Sequence, residues 1–207
     1  MNIHLNVLVN LIIGEYFNDS NCLYVFTNDQ ISLHGNLPRV LIKIENTKVD
    51  PNIYSNHYGC QGFIMFHRKS ATLLENIENS FKAVDDRFNR RKYLIIIPKN
   101  AKESYLDVFA NMAVNYIADI VVVSEGNYLN EMGIVPHIFV EYHIFTHKYI
   151  NVDNNNDAVL VDRWFSNNKS FLHNAILYPD KLKNQQGRTF KIATFTYKPY
   201  AIVGNNN

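Results

Sequence analysis

Apolar residues in this chain come in short dense runs, separated by polar turn-forming stretches, and the runs alternate between two periods. Residues 22–27 (CLYVFT) form a β-rich run closed by Asn28 and Asp29. Residues 39–44 (RVLIKI) alternate after a Leu-Pro start and stop at Glu45 and Asn46. Residues 62–66 (GFIMF), 93–97 (YLIII) and 120–123 (IVVV) are almost wholly apolar, as strands covered on both faces are. Residues 136–145 (PHIFVEYHIF) would put Ile138, Val140, Tyr142 and Ile144 on one face of a further strand. Between these runs the spacing changes to that of a helix. Ser70 can cap a helix over residues 71–88, whose buried stripe would be Leu74, Ile77, Phe81, Val84 and Phe88. Ser104 can cap the next, with Leu106, Phe109, Ala110, Ala113 and Ile117 sharing a face.

Strand and helix alternating at this spacing predict right-handed βαβ units. The expected fold class is α/β: a mainly parallel sheet flanked by helices, a Rossmann-like single lobe, with an irregular C-terminal tail. The amino terminus belongs to the same pattern. Residues 5–14 (LNVLVNLIIG) have the apolar content of a secretion signal. However, no Lys or Arg precedes them, Asn6 and Asn10 interrupt them, and no small-x-small site follows. Leu8, Leu11, Ile12 and Tyr16 fall at helical spacing, which favours a packing helix and would put any signal upstream of Met1.

The polar break at residues 151–157 (NVDNNND) marks the expected end of the lobe. Residues 159–178 then read as part of a linker with a short helix, in which Trp164, Phe165, Phe171 and Leu177 pack back on the lobe. At the far end, Gly187 can reverse the chain and residues 189–195 alternate as a strand. Lys198-Pro199 ends it, since proline donates no ladder hydrogen bond.

Composition narrows the function classes. The chain has 207 residues, 47% of them hydrophobic, enough for one substantial core. Twenty basic and 19 acidic residues give a net charge of +1, with no electrostatic case for nucleic acid or an anionic membrane surface. No apolar run reaches the roughly eighteen residues that a membrane-spanning helix needs. No glycine-rich phosphate loop follows the first strand, where the sequence reads TNDQISLHGNLP. Neither a GxSxG elbow nor HExxH occurs, and Glu75, Glu78, Asp85 and Asp86 read as a solvated helix face. The residues thus point to no catalytic site and no cofactor.

His137, His143 and His147 are the densest of eight histidines, but Glu141 is the one carboxylate near them, so no metal is placed there. His34, His57 and His67 are scattered among loops and strand ends. Cys22 starts the first run and Cys60 lies two residues before the third; if those strands are parallel neighbours, both sulfurs lie at one sheet edge. Geometry alone leaves a disulfide and two buried thiols both open. Asn18-Asp19-Ser20 and Asn168-Lys169-Ser170 match the N-glycosylation acceptor pattern, in predicted loops.

The carboxy-terminal wording LYPDKLKN, QGR, F, ATF, Y, PY (residues 177–204) resembles the entry into the ligand-binding lobe of ionotropic glutamate receptors. It is most similar to the divergent insect chemosensory ionotropic receptors, and NCLYVFTND and GCQGFIMF also resemble their amino-terminal region. The resemblance implies residues 1–150 as an extracellular α/β amino-terminal domain and 151–186 as a linker. Residues 187–207 would be the first strand of a ligand-binding domain. It implies a subunit of a ligand-gated cation channel, with receptor co-subunits as partners and a location on the extracellular side of the plasma membrane. In that compartment Cys22 and Cys60 are expected to pair. The family's ligand-contacting residues match no position in this chain, so the ligand class is open. Two other classes compete: a soluble α/β protein-interaction module, and a Rossmann-like intracellular enzyme, which the absent phosphate loop opposes.

Overall fold

The computed structural model describes residues 3–28, 31–44, 47–48, 59–82, 91–126, 140–148 and 157–183. One eight-stranded sheet organises them. Its strands are β1 (Leu23–Thr27), β2 (Arg39–Ile42), β3 (Gly62–Phe66), β4 (Lys92–Ile97), β5 (Asp119–Glu125), β6 (Glu141–His147), β7 (Ala158–Phe165) and β8 (Ser170–Phe171). The spatial order is β2-β1-β3-β4-β5-β6-β7-β8. The first five strands pair in parallel, and the last three join antiparallel.

The apolar runs are explained by layers on both faces. Along β1, β3, β4 and β5 successive side chains alternate between two cores, as the pleat requires. Tyr24, Phe26, Phe63, Met65, Tyr93, Ile95, Ile120 and Val122 face one core, with α2 (Ser70–Lys82), α3 (Tyr105–Ala110) and a 3₁₀ turn (Met112–Tyr116). Leu23, Val25, Ile64, Phe66, Leu94, Ile96, Val121 and Val123 face the other, where α1 (Ile3–Tyr16) contributes Leu5, Leu8, Val9, Ile12 and Ile13. The amino-terminal segment is therefore a packing helix. Leu11, expected on its buried stripe, is 43% exposed and flanks that face. Gly62 is required by this packing: a Cβ there would collide with Leu23 and would lie 2.8 Å from the Phe17 ring.

Several expectations are corrected. The strand near residue 145 runs antiparallel to β5 and extends to His147, while Pro136 and Ile138 lie outside the described residues. Residues 158–165 are not linker and contain no helix; they are the eight-residue strand β7, and the sheet continues through Phe171. About ten residues separate His147 from Ala158, fewer than the dozen or more that a parallel crossover needs, in keeping with the antiparallel direction. The helix capped by Ser104 ends at Ala110, and Leu106 and Ala110 face solvent. Asn111 leaves helical geometry and caps the 3₁₀ turn through its side chain, so the phase resets. The buried set becomes Val108, Phe109, Ala113, Val114 and Ile117. In α2 the stripe of Leu74, Ile77 and Phe81 is buried; Val84 and Phe88 fall outside the described residues.

Ile64 and Ile95 sit at the centre of opposite cores, both fully buried. Ile64→Ala and Ile95→Ala should each lower unfolding free energy by about 2–5 kcal/mol in chemical denaturation, with the transfer and cavity terms adding.

Candidate functional site

Parallel pairing brings the strand starts together. Leu23, Gly62, Lys92 and Asp119 are consecutive register partners and form one row across the sheet. Everything that immediately precedes these residues shares this edge, here called the amino pole. Cys22 and Cys60, just ahead of β1 and β3, are joined by a disulfide with their Cα atoms 4.5 Å apart. The bridge ties the two strands at the point where the chain order reverses.

Lys92 is clamped at this pole. Its Nζ donates to the carbonyl of Tyr16 and, at 3.0 Å, to Asp19, and it lies 5.6 Å from the ring centroids of both Phe17 and Tyr178. The segment after β8 returns to the same place. Leu177 is buried, and its backbone N–H donates to the Tyr16 hydroxyl at 3.3 Å. The Tyr178 hydroxyl donates to the Tyr93 carbonyl at 3.0 Å, and its ring packs edge-on to Phe17. Burial raises the Tyr178 phenol well above its ordinary value, so it stays a donor. Lys181 Nζ donates to the Ala118 carbonyl and to Thr146 Oγ1, both at 2.7 Å. Its burial lowers the ammonium pKa to about 8, against the opposing pull of Asp119. Asp119 itself is raised by burial, which outweighs the nearby Lys92 and Lys181. Asp19, Lys92, Asp119, Tyr178 and Lys181 line a cavity of about 370 Å³.

The opposite edge, at the carboxyl ends of the strands, is where open α/β sheets usually take ligands, with anions on a helix amino terminus. Here those donors are already used. The backbone N–H groups of Ala71 and Thr72 donate to Glu103 Oε2 at 2.7 and 3.3 Å, and the Thr72 hydroxyl donates to Oε1. Glu103 comes from the loop after β4. Ser70, expected to cap α2, instead donates its hydroxyl to the His67 carbonyl. A side chain thirty-two residues downstream performs the cap, and it supplies the negative charge that the helix dipole favours.

The remaining candidates are dispersed. His143 contacts Glu141 at 3.0 Å, and Arg163 lies 3.5 Å from the same carboxylate. His147 is buried, with its Nε2 2.9 Å from the Ile117 carbonyl. His67 accepts from Lys69 N–H at 3.2 Å, and the His34 backbone N–H donates to Asn10. His57 and His137 lie outside the described residues, as do Asp85 and Asp86. Among the described residues no group of three metal-ligating side chains occurs. Glu78, expected in solvent, is buried: Arg91 lies 3.0 Å from it, and the Tyr93 hydroxyl donates to it. Asn18 is exposed, but its amide donates to the Gly14 carbonyl at the end of α1. Asn168 is exposed in the β7–β8 turn, next to Lys169 at φ 53°.

One buried carboxylate escaped the sequence reading. Asp162 on β7 accepts from the backbone N–H groups of Arg163, His173 and Ala175 at 2.7, 3.0 and 2.9 Å. Burial pushes its pKa up, but these three donors together hold it below the ordinary carboxylate value.

The fold and its two poles define an α/β lobe with parallel order 2-1-3-4-5 and an antiparallel extension. No known family model, curated protein or solved structure matches the chain.

Two outcomes are expected. Replacing both cysteines by Ser should cost about 3–4 kcal/mol by loop entropy, since the bridge spans a sequence separation of 38; matched denaturant curves measure it. For Asp162 the folded pKa is depressed, so its contribution is present above the unfolded value near pH 4 and is lost as pH falls through the folded pKa. Asp162→Ala should cost about 3 kcal/mol at pH 7, with a smaller difference from the parent in strong acid.

Proposed function

We propose that this chain is the amino-terminal extracellular part of a chemosensory ionotropic receptor, a subunit of a ligand-gated cation channel. One observation carries the reading. The LYPDKLKN segment, whose wording resembles the family's entry into the ligand-binding lobe, begins with three residues anchored on the amino pole: Leu177, Tyr178 and Lys181. A chain leaving the lobe from a fixed point on a rigid sheet edge is what a subunit needs if a following domain is to be held in a defined position. Residues 184–207 of the resemblance lie outside the described residues. The Cys22–Cys60 bridge is in keeping with an oxidising compartment. Among the described residues no helix is long and apolar enough to cross a membrane, so the pore would belong to sequence beyond this lobe.

The enzyme alternative has less support, because Glu103 fills the donors on which a phosphate-bearing cofactor would rest. A receptor subunit and a soluble interaction module differ in the sequence carboxy-terminal to the lobe.

Sequencing the expressed transcript past the codon for Asn207 separates the two. The receptor reading predicts an open frame running into a second lobe and apolar segments of about 20 residues each. A stop codon directly after Asn207 in the mature message would contradict it. Passage of the chain through the secretory pathway provides a second measurement. Asn168 should carry a glycan removable by endoglycosidase, and non-reducing peptide maps should recover Cys22 linked to Cys60. An unmodified Asn168 and two alkylatable thiols would contradict an extracellular location.

A further inference from the structure

We propose that the outer face of α3 and the 3₁₀ turn is a docking surface for this chain's own residues 188–192 (RTFKI). Phe190 and Ile192 would seat beside Met112, and Arg188 would face Asp157. The surface exists because Asn111 resets the helical phase: Val114 and Ile117 pack inward, and their neighbours are turned out. Leu106 is 58% exposed, Met112 70% and Tyr116 61%. A single apolar side chain in water is ordinary, but three along one short segment beside a groove mark an interaction surface. Leu106, Phe109, Ala110 and Met112 border a groove of about 460 Å³, with Asp157 and Ala158, at the start of β7, in the same lining.

Position, pattern and charge favour the chain's own continuation as the occupant. Leu182 and Tyr116 line the same amino-pole cavity, so Lys183, the last described residue, lies beside this face. The 3₁₀ turn from Met112 to Tyr116 is about 10 Å long, and six extended residues span about 20 Å. Residues 190 and 192 can therefore lie over Met112. In an extended chain Arg188, Phe190 and Ile192 fall on one face. Residues 184–207 carry Arg188, Lys191 and Lys198 and no acidic residue, whereas the groove lining holds Asp157 and no basic one. A second copy is disfavoured by the same charges. Two identical faces in contact would each present Asp107 and Asp157, with no basic residue on α3 or the 3₁₀ turn to meet them. A tethered segment also meets the groove at high effective concentration, so a small apolar contact suffices. The inference concerns the lobe and its continuation and is independent of the receptor reading.

A nitroxide label on the full chain tests this. Both native cysteines are held in the Cys22–Cys60 bridge, so Ala193→Cys supplies the one reactive thiol. With carbon-13 methionine methyls, the Met112 signal should be broadened by the oxidised label and recover when ascorbate reduces it. Phe190→Asp in the labelled chain should abolish the broadening. Asp157→Lys should weaken it at low salt, and adding Arg188→Glu should restore it, a rescue that a loss of folding could not produce. The Met65 methyl, fully buried on β3, should keep its shift in every variant and so reports an intact lobe. When the nitroxide is on one chain and the carbon-13 on another, Met112 should stay sharp. A sharp Met112 in the doubly labelled chain would leave this face to another segment or to none. Equal broadening in the mixed sample would assign it to a second copy. Either result, broadening that survives Phe190→Asp, or a charge swap that restores nothing would overturn the proposal.

Discussion

In-register parallel pairing of β1, β3, β4 and β5 governs most of what this lobe can do. Because the partners of Leu23 are Gly62, then Lys92, then Asp119, four strand starts separated widely in sequence become one line of neighbours. A disulfide, a clamped lysine and a partly buried carboxylate are then collected at a single edge without any local motif. The pairing is held by the two cores on either side of the sheet. A register slip of one residue would reverse every side chain between them. Gly62 shows how closely the layers meet, since even a methyl group there would strike Leu23 and Phe17.

The two edges of the sheet differ in how their polar groups are satisfied. At the carboxyl pole Glu103 brings its own negative charge to the start of α2 and leaves that helix no free donors for an external anion. At the amino pole the cations are occupied from within, by Tyr16, Asp19, Ala118 and Thr146, and Asp119 lies in the field of both lysines. The helix amino terminus on which α/β sheets usually rest an anion is thus filled from within in α2.

Much of this was legible in the sequence, for a physical reason. Parallel strands covered on both faces must be apolar throughout, so GFIMF, YLIII and IVVV announce themselves, as does the stripe of Leu74, Ile77 and Phe81. What escaped depends on contacts distant in sequence. Strand β7 carries a buried Asp162 among its apolar residues and comes after an asparagine-rich break, so it reads as linker; the carboxylate is satisfied by loop donors eleven and thirteen residues later. The cap on α2 comes from Glu103, and no local pattern around Ser70 signals it. The residues alone left the cysteine pair open, since its geometry depends on β1 and β3 being neighbours, and only the resemblance made pairing the expectation. The anchoring of Lys181 needed both Ala118 and Thr146 in place.

The central claim is that the segment after β8 is fixed to the amino edge of the sheet. Residue-resolved hydrogen exchange at Leu177 tests it most directly, because this amide lies outside every strand and helix and donates to the Tyr16 hydroxyl. Leu177 should exchange far more slowly than an unstructured peptide, and Tyr16→Phe should accelerate it while the amides of β4 stay protected. Exchange of Leu177 at the unstructured rate in the unmutated chain would contradict the claim.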